Sequence, residues 1–191
     1  MAMTASLTAP AFSKGKWHWL CLALAGLASL SLVVEPLGSI ACAIFPDTVA
    51  SLLHQEIVIR TTVHVTGAIP LPYRLGLLLC GAVPTGLGMW CSWSMRQLFL
   101  GFARGEVFTP RALAHLNHAA LALLLSEITD ILMQAPETAL ATWTLGPGKR
   151  AISLGLGSGD ITTLFIAGTA FIIAGVMAEA RRIADENASI V

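Results

Sequence analysis

Four stretches of this chain, residues 17–44, 75–100, 112–134 and 161–180, are apolar for about as long as a helix needs to cross a bilayer. A helix rises ~1.5 Å per residue, so roughly 20 residues span the hydrocarbon. Lipid offers no hydrogen-bond partners to a backbone, so each stretch must satisfy its own N–H and C=O groups by being helical. The local signals agree: Thr109 and Pro110 suit an N-cap and first helical position, and Gly159-Asp160 suits an N-cap for the last span. Pro84, with Gly86 and Gly88 nearby, predicts a kink in the second span.

Composition closes off the soluble alternatives. Of 191 residues 55% are hydrophobic and 12% charged, more apolar surface than a water-soluble core absorbs. The formal net charge is zero, so no basic field exists for nucleic acid, and no direct nucleic-acid partner is expected. Cys21, Cys42, Cys80 and Cys91 all fall in apolar stretches without a CxxC or zinc spacing, which reads as packing filler; no metal and no cofactor is expected.

Lys14, Lys16, Arg96, Arg104, Arg111, Arg181 and Arg182 fall on one side of the spans, and Arg60, Arg74, Lys149 and Arg150 on the other. The excess predicts that both termini are cytoplasmic. Trp17, Trp19 and Trp143 lie near span ends, as an interfacial belt requires. The first apolar run loosely imitates a secretory signal ending at Ala41-Cys42-Ala43, but it is long for one and Glu35-Pro36 interrupts it.

The connections on the side away from the termini carry strand signals. EIVIRTTVHV, from Glu56 to Val65, is β-branched with partial alternation, and TWTL and RAISLGL flank a GPGK turn. They predict a small extracytoplasmic sheet of about three strands. The expected fold is therefore an all-α membrane protein, a four-transmembrane-helix bundle with a small extracytoplasmic β cap. It forms a single integral membrane domain over residues 1–191, with outer connections 45–74 and 135–160.

Ionisable groups inside spans are the candidate functional residues, because hydrocarbon penalises them. Counting along the spans puts Glu35, Glu127 and Asp130 at one level near the outer ends, with Asp160 opening the last span in the same layer. Glu127 and Asp130 are three residues apart and share a helix face. Two readings stay open: a cation or proton cluster of Glu35, Glu127 and Asp130, or carboxylates at headgroup depth that end the helices. His115, His118 and His18 collect near the opposite interface, where water and headgroups account for them better than a haem or metal does.

Small residues at Ala170, Ala174 and Ala178, with Gly168 and Gly175, predict close helix packing in the last span, within the bundle or in a homo-oligomer. Beyond Ala178 the pairs Arg181/Asp185 and Arg182/Glu186 extend that helix past the membrane.

Two segments carry a family resemblance: LFLGFARGEVFTPRALAHL, from Leu98 to Leu116, and the tail from Asp160 ending EARRIADENASIV. The Gly-Glu-Val-Phe-Thr turn and the acidic, asparagine-containing tail resemble the bacterial four-span membrane family catalogued as domain of unknown function twenty-nine seventy-five. The resemblance implies a fold and a membrane location, and no catalytic residue. Members are often encoded beside a small helix-turn-helix regulator, so it also implies a membrane partner that senses or sequesters a cytoplasmic transcription factor. Candidate docking residues are Gly105, Glu106 and Phe108 in the turn and Arg181, Arg182 and Ile183 in the tail.

The sequence thus predicts a non-enzymatic, regulatory multi-pass protein of the bacterial plasma (inner) membrane, its immediate partner the lipid bilayer. The runner-up is a small ion- or proton-coupled transporter using the carboxylate cluster. No nucleophile and base stand at an interpretable spacing for catalysis.

Overall fold

Large side chains point outward and small ones inward, the reverse of a water-soluble protein. In this computed structural model, which describes residues 15–44, 58–59, 63–64, 70–106, 109–143, 148, 150 and 152–189, the buried apolar residues are mostly alanines: Ala25, Ala112, Ala119, Ala120, Ala122, Ala141, Ala167 and Ala174. Leu27, Leu30, Leu79, Phe165 and Ile172 are exposed, Phe165 to 74%. Lipid tails are as apolar as leucine, so nothing drives the large side chains inward, whereas small residues let helix backbones approach and gain dispersion contacts.

Four helices carry the structure: α1 (Lys16–Ile44), α2 (Leu71–Ala103), α3 (Pro110–Thr142) and α4 (Ser158–Ser189). All are long and apolar enough to cross a membrane. At 29 to 33 residues they run roughly 44 to 50 Å, beyond the ~30 Å of hydrocarbon, so each has room to tilt or project. α1 packs on α2, α2 on α3 and α3 on α4, an array ordered as the sequence is. We call the end where α1 begins, α2 passes to α3 and α4 finishes the proximal end, and the other the distal end.

The proximal turn is tightly specified. α2 ends in a Schellman motif: Gly105, at φ +84°, donates its N–H to the carbonyl of Phe102, and Glu106 donates to Gly101, at 2.9 and 3.0 Å. Thr109 then caps α3, its hydroxyl accepting the N–H of Ala112 at 3.2 Å, and Pro110 follows at the first helical position, as the sequence predicts.

The distal end departs from expectation. α3 does not stop at Gln134 but continues through Pro136 to Thr142. Its last two turns are polar, which is why an apolar window misses them. Thr138 and Thr142 are fully buried, their hydroxyls donating to the carbonyls one turn back, Gln134 and Thr138, at 2.8 and 2.7 Å. Residues 152–157 run along the end of α3 as a strap: Ser153 donates its N–H to Thr138 Oγ1, and Gly155 donates to the side-chain oxygen of Gln134, both at 3.0 Å.

That strap replaces the predicted cap. Residues 152–157 form no strand: α3 side chains rather than a neighbouring strand take the N–H groups of Ser153 and Gly155. In the first distal connection β1 (Val58–Ile59) and β2 (Val63–His64) pair antiparallel over two rungs among the described residues, and the rest of the predicted strand, residues 56–57, 60–62 and 65, lies outside them. An extracytoplasmic β cap is not supported, and the fold is all-helical in substance. The last helix also starts earlier than predicted: Asp160 accepts the N–H of Gly157 at 2.7 Å from within the first turn, so it reaches back to the N-terminus instead of being the N-cap.

Candidate functional site

The polar groups of the first two helices meet along one seam. Moving from the proximal end, His18 Nδ1 donates to the carbonyl of Ala103 at 3.1 Å, and Arg96 Nε donates to Ser29 Oγ at 3.0 Å. Ser31 meets Ser92 hydroxyl to hydroxyl at 2.9 Å, the Glu35 carboxylate lies against Gly88, and Ser39 lies 3.4 Å from Thr85. The partners rise on α1 as they fall on α2, the mark of an antiparallel pair. Thr85, Gly88, Ser92 and Arg96 step by three, four and four residues, one stripe of α2.

At the Glu35 level the two helices come close enough that a side chain on α2 would push the carboxylate aside. A Cβ at residue 88 would stand 3.1 Å from Glu35 Oε2, tighter than ordinary van der Waals contact. Arg96 is held differently: its guanidinium also lies 5.4 Å from the centre of the Trp93 ring, a cation–π contact that partly replaces lost water.

Of the predicted carboxylate cluster, Glu35 stands apart from Glu127 and Asp130. Glu35 is on α1, which packs on α2, while Glu127 and Asp130 are half-buried on α3. α3 packs on a different face of α2, where Gly76 meets Leu140 and Trp90 lies 5.8 Å from His118. Counting from those contacts, Glu127 falls opposite residues 81–89 of α2, the section that meets Glu35 and Ser39 on its other side. Glu35 thus belongs to the α1–α2 seam, and Glu127 and Asp130 to the helix packed on another side of α2.

The histidines do not converge as ligands. His18 is committed to a backbone carbonyl and His118 to Trp90, and among the described residues no three His, Cys, Asp or Glu side chains gather as a metal site.

At the proximal end, Gly105 and Glu106 belong to the Schellman turn, where the Glu106 carboxylate lies 3.6 Å from Arg104. Phe108 lies outside the described residues. The tail is helical to Ser189, and Arg182 is gripped on both sides, its Nε 3.0 Å from Glu179 and its Nη1 2.6 Å from Glu186. Ile183 is exposed beside it. Arg181 is half-buried, and the Asp185 side chain predicted to pair with it is outside the described residues.

The family model "Protein of unknown function (DUF2975)" matches residues 8–191. The chain belongs to this family. No curated protein and no solved structure matches it. The four membrane-length helices are consistent with a multi-pass membrane protein, and the family description assigns no activity.

Sequence reasoning missed the seam. Ser29, Ser31, Ser39, Thr85 and Ser92 passed as neutral span residues, and Arg96 was counted only as a charge for orientation. The available signal was spacing: Ser31, Glu35 and Ser39 fall four residues apart in an apolar helix.

Proposed function

We propose that the protein is a non-enzymatic regulatory component of the bacterial plasma membrane, its proximal end in the cytoplasm, where it holds a helix-turn-helix transcription factor. The observation that carries this reading is the shape of that end. α4 continues from Glu179 to Ser189, roughly 16 Å, as a helix latched by Arg182. Beside it in the sequence's arrangement of ends is a turn fixed by a Schellman motif and a threonine cap. Neither element is large enough to fold around an active site, and the described residues of both are held by hydrogen bonds, which suits a docking surface that loses little entropy on binding.

The reading is tested by purifying the tagged chain from its native membranes in mild detergent and identifying what accompanies it. A helix-turn-helix protein should co-purify with the full chain and be lost when the chain is cut after Glu179. Repeated recovery of the protein alone, or retention of the partner by the truncated chain, overturns it.

A further inference from the structure

Among the described residues nothing compensates the Glu35 carboxylate. It lies six residues from the distal end of the apolar span of α1, with Val33, Val34 and Leu37 exposed around it. Among the described residues no hydrogen-bond donor and no cation engages its carboxylate. Arg96, the cation of the seam, is six residues away on the Ser29 level, roughly 9 Å along the axis, and is already held by Ser29 and Trp93. On α2, the helix packed against α1, Cys91 is close enough to feel Glu35. On α1 itself His18 lies more than four turns away, bonded to Ala103.

An ion this placed is costly in hydrocarbon and is relieved by a counter-ion or a proton. The oxygens nearby do not form a cage: Ser39 donates to the Glu35 carbonyl, and Thr85 is 3.4 Å from Ser39. Two hydroxyls and one carboxylate fall short of the oxygen set a metal ion needs. We propose that Glu35 is an exchangeable proton-binding site, reached from the distal end past the Ser39–Thr85 pair, and that its protonation sets how α1 packs on α2. A proton from distal water adds to a carboxylate oxygen, forming one O–H bond and removing one negative charge; release returns it to water. The neutral acid rests against Gly88, whereas the carboxylate draws toward water or Arg96 and loosens the seam.

The seam carries that difference to the proximal end. His18 clamps the first turn of α1 to the carbonyl of Ala103, directly before the Schellman turn. This output rests on the docking reading above; the proton site does not.

The test uses the full chain in phosphatidylcholine liposomes. Infrared difference spectra across pH should show a protonated-carboxyl C=O band that is lost as pH rises and is missing from Glu35→Gln. No Glu35-dependent band at any pH overturns the site. Disulfide formation between Ser31→Cys and Ser92→Cys should change several-fold with pH in the wild-type background and follow thiol chemistry alone in Glu35→Gln; identical pH profiles overturn the coupling. Should Glu35→Gln fail to fold, Gly88→Ala keeps the carboxyl but displaces it, so the band's midpoint should shift, and an unmoved midpoint counts against the site. A titrating band together with a pull-down that recovers no partner leaves the proton site standing and removes the docking reading.

Discussion

The buried hydroxyl of Thr138 accepts the backbone N–H of Ser153 at 3.0 Å while donating to the carbonyl of Gln134 at 2.8 Å, so one side chain joins the end of α3 to the strap that leads into α4. Thr138→Val keeps the shape and removes the acceptor, leaving the Ser153 N–H unsatisfied. The cost of such a group is about 1–3 kcal/mol. Reversible unfolding in mixed micelles should show that loss, while Thr162→Val, whose hydroxyl only bonds back to Ser158 on an exposed face, should show little. Equal effects of the two would mean that the strap is not held by Thr138.

The seam should be unequal along its length. Ser29 accepts a hydrogen bond from the charged Arg96, and Ser31 meets a neutral hydroxyl. Bonds to charged groups contribute about 1.5–3 kcal/mol, against about 0.6 kcal/mol for an average polar contact between membrane helices. Ser29→Ala should therefore destabilise the fold clearly more than Ser31→Ala, and a double-mutant cycle of Ser29→Ala with Arg96→Gln should recover most of the difference as coupling energy. Additive effects would show that the bond contributes nothing.

These two cases also mark what the sequence could disclose. The spans and the Thr109-Pro110 start of α3 follow from local rules of hydropathy and capping, which act within a few residues, and they are found in the structure. The polar end of α3 is decided by contacts 15 and 21 residues away, Thr138 with Ser153 and Gln134 with Gly155, which no local window contains. The strand signals of the second distal connection were overridden in the same way, by side chains that supplied the hydrogen bonds a sheet would have given. Position along a helix was legible by counting, which is why Glu35, Glu127 and Asp130 read as one group in the sequence. Which helix each carboxylate faces was not, because that depends on the order in which helices pack.

Gly105 holds a left-handed conformation, φ +84°, with open space where a Cβ would stand. The obstacle to a side chain there is therefore backbone strain and not crowding. Gly105→Ala should cost about 1–2 kcal/mol. Gly105→Asn should recover part of that loss, because asparagine tolerates this region. The same unfolding measurement checks both, and a neutral Gly105→Val would contradict the Schellman ending of α2.

The tail gives a prediction of local rather than global effect. Arg182 bridges Glu179 and Glu186, one turn behind and one turn ahead, on a fully exposed helix end. Exposed pairs add little to global stability and are screened by salt, but at a fraying terminus they decide how much of the last turns persists. Arg182→Ala should leave the unfolding midpoint of the whole chain unchanged and accelerate amide hydrogen exchange from residue 179 to the C-terminus. Raising the salt concentration should produce the same acceleration in the wild type and almost none in the variant, because the variant has no ion pair left to screen. If the tail serves as a docking surface, Arg182→Ala should also weaken partner capture in proportion to the lost protection. Charge reversal that keeps the latch, with Glu179→Arg, Arg182→Glu and Glu186→Arg combined, separates helix order from charge: order should return, and capture should return only if the partner reads the helix and not its sign.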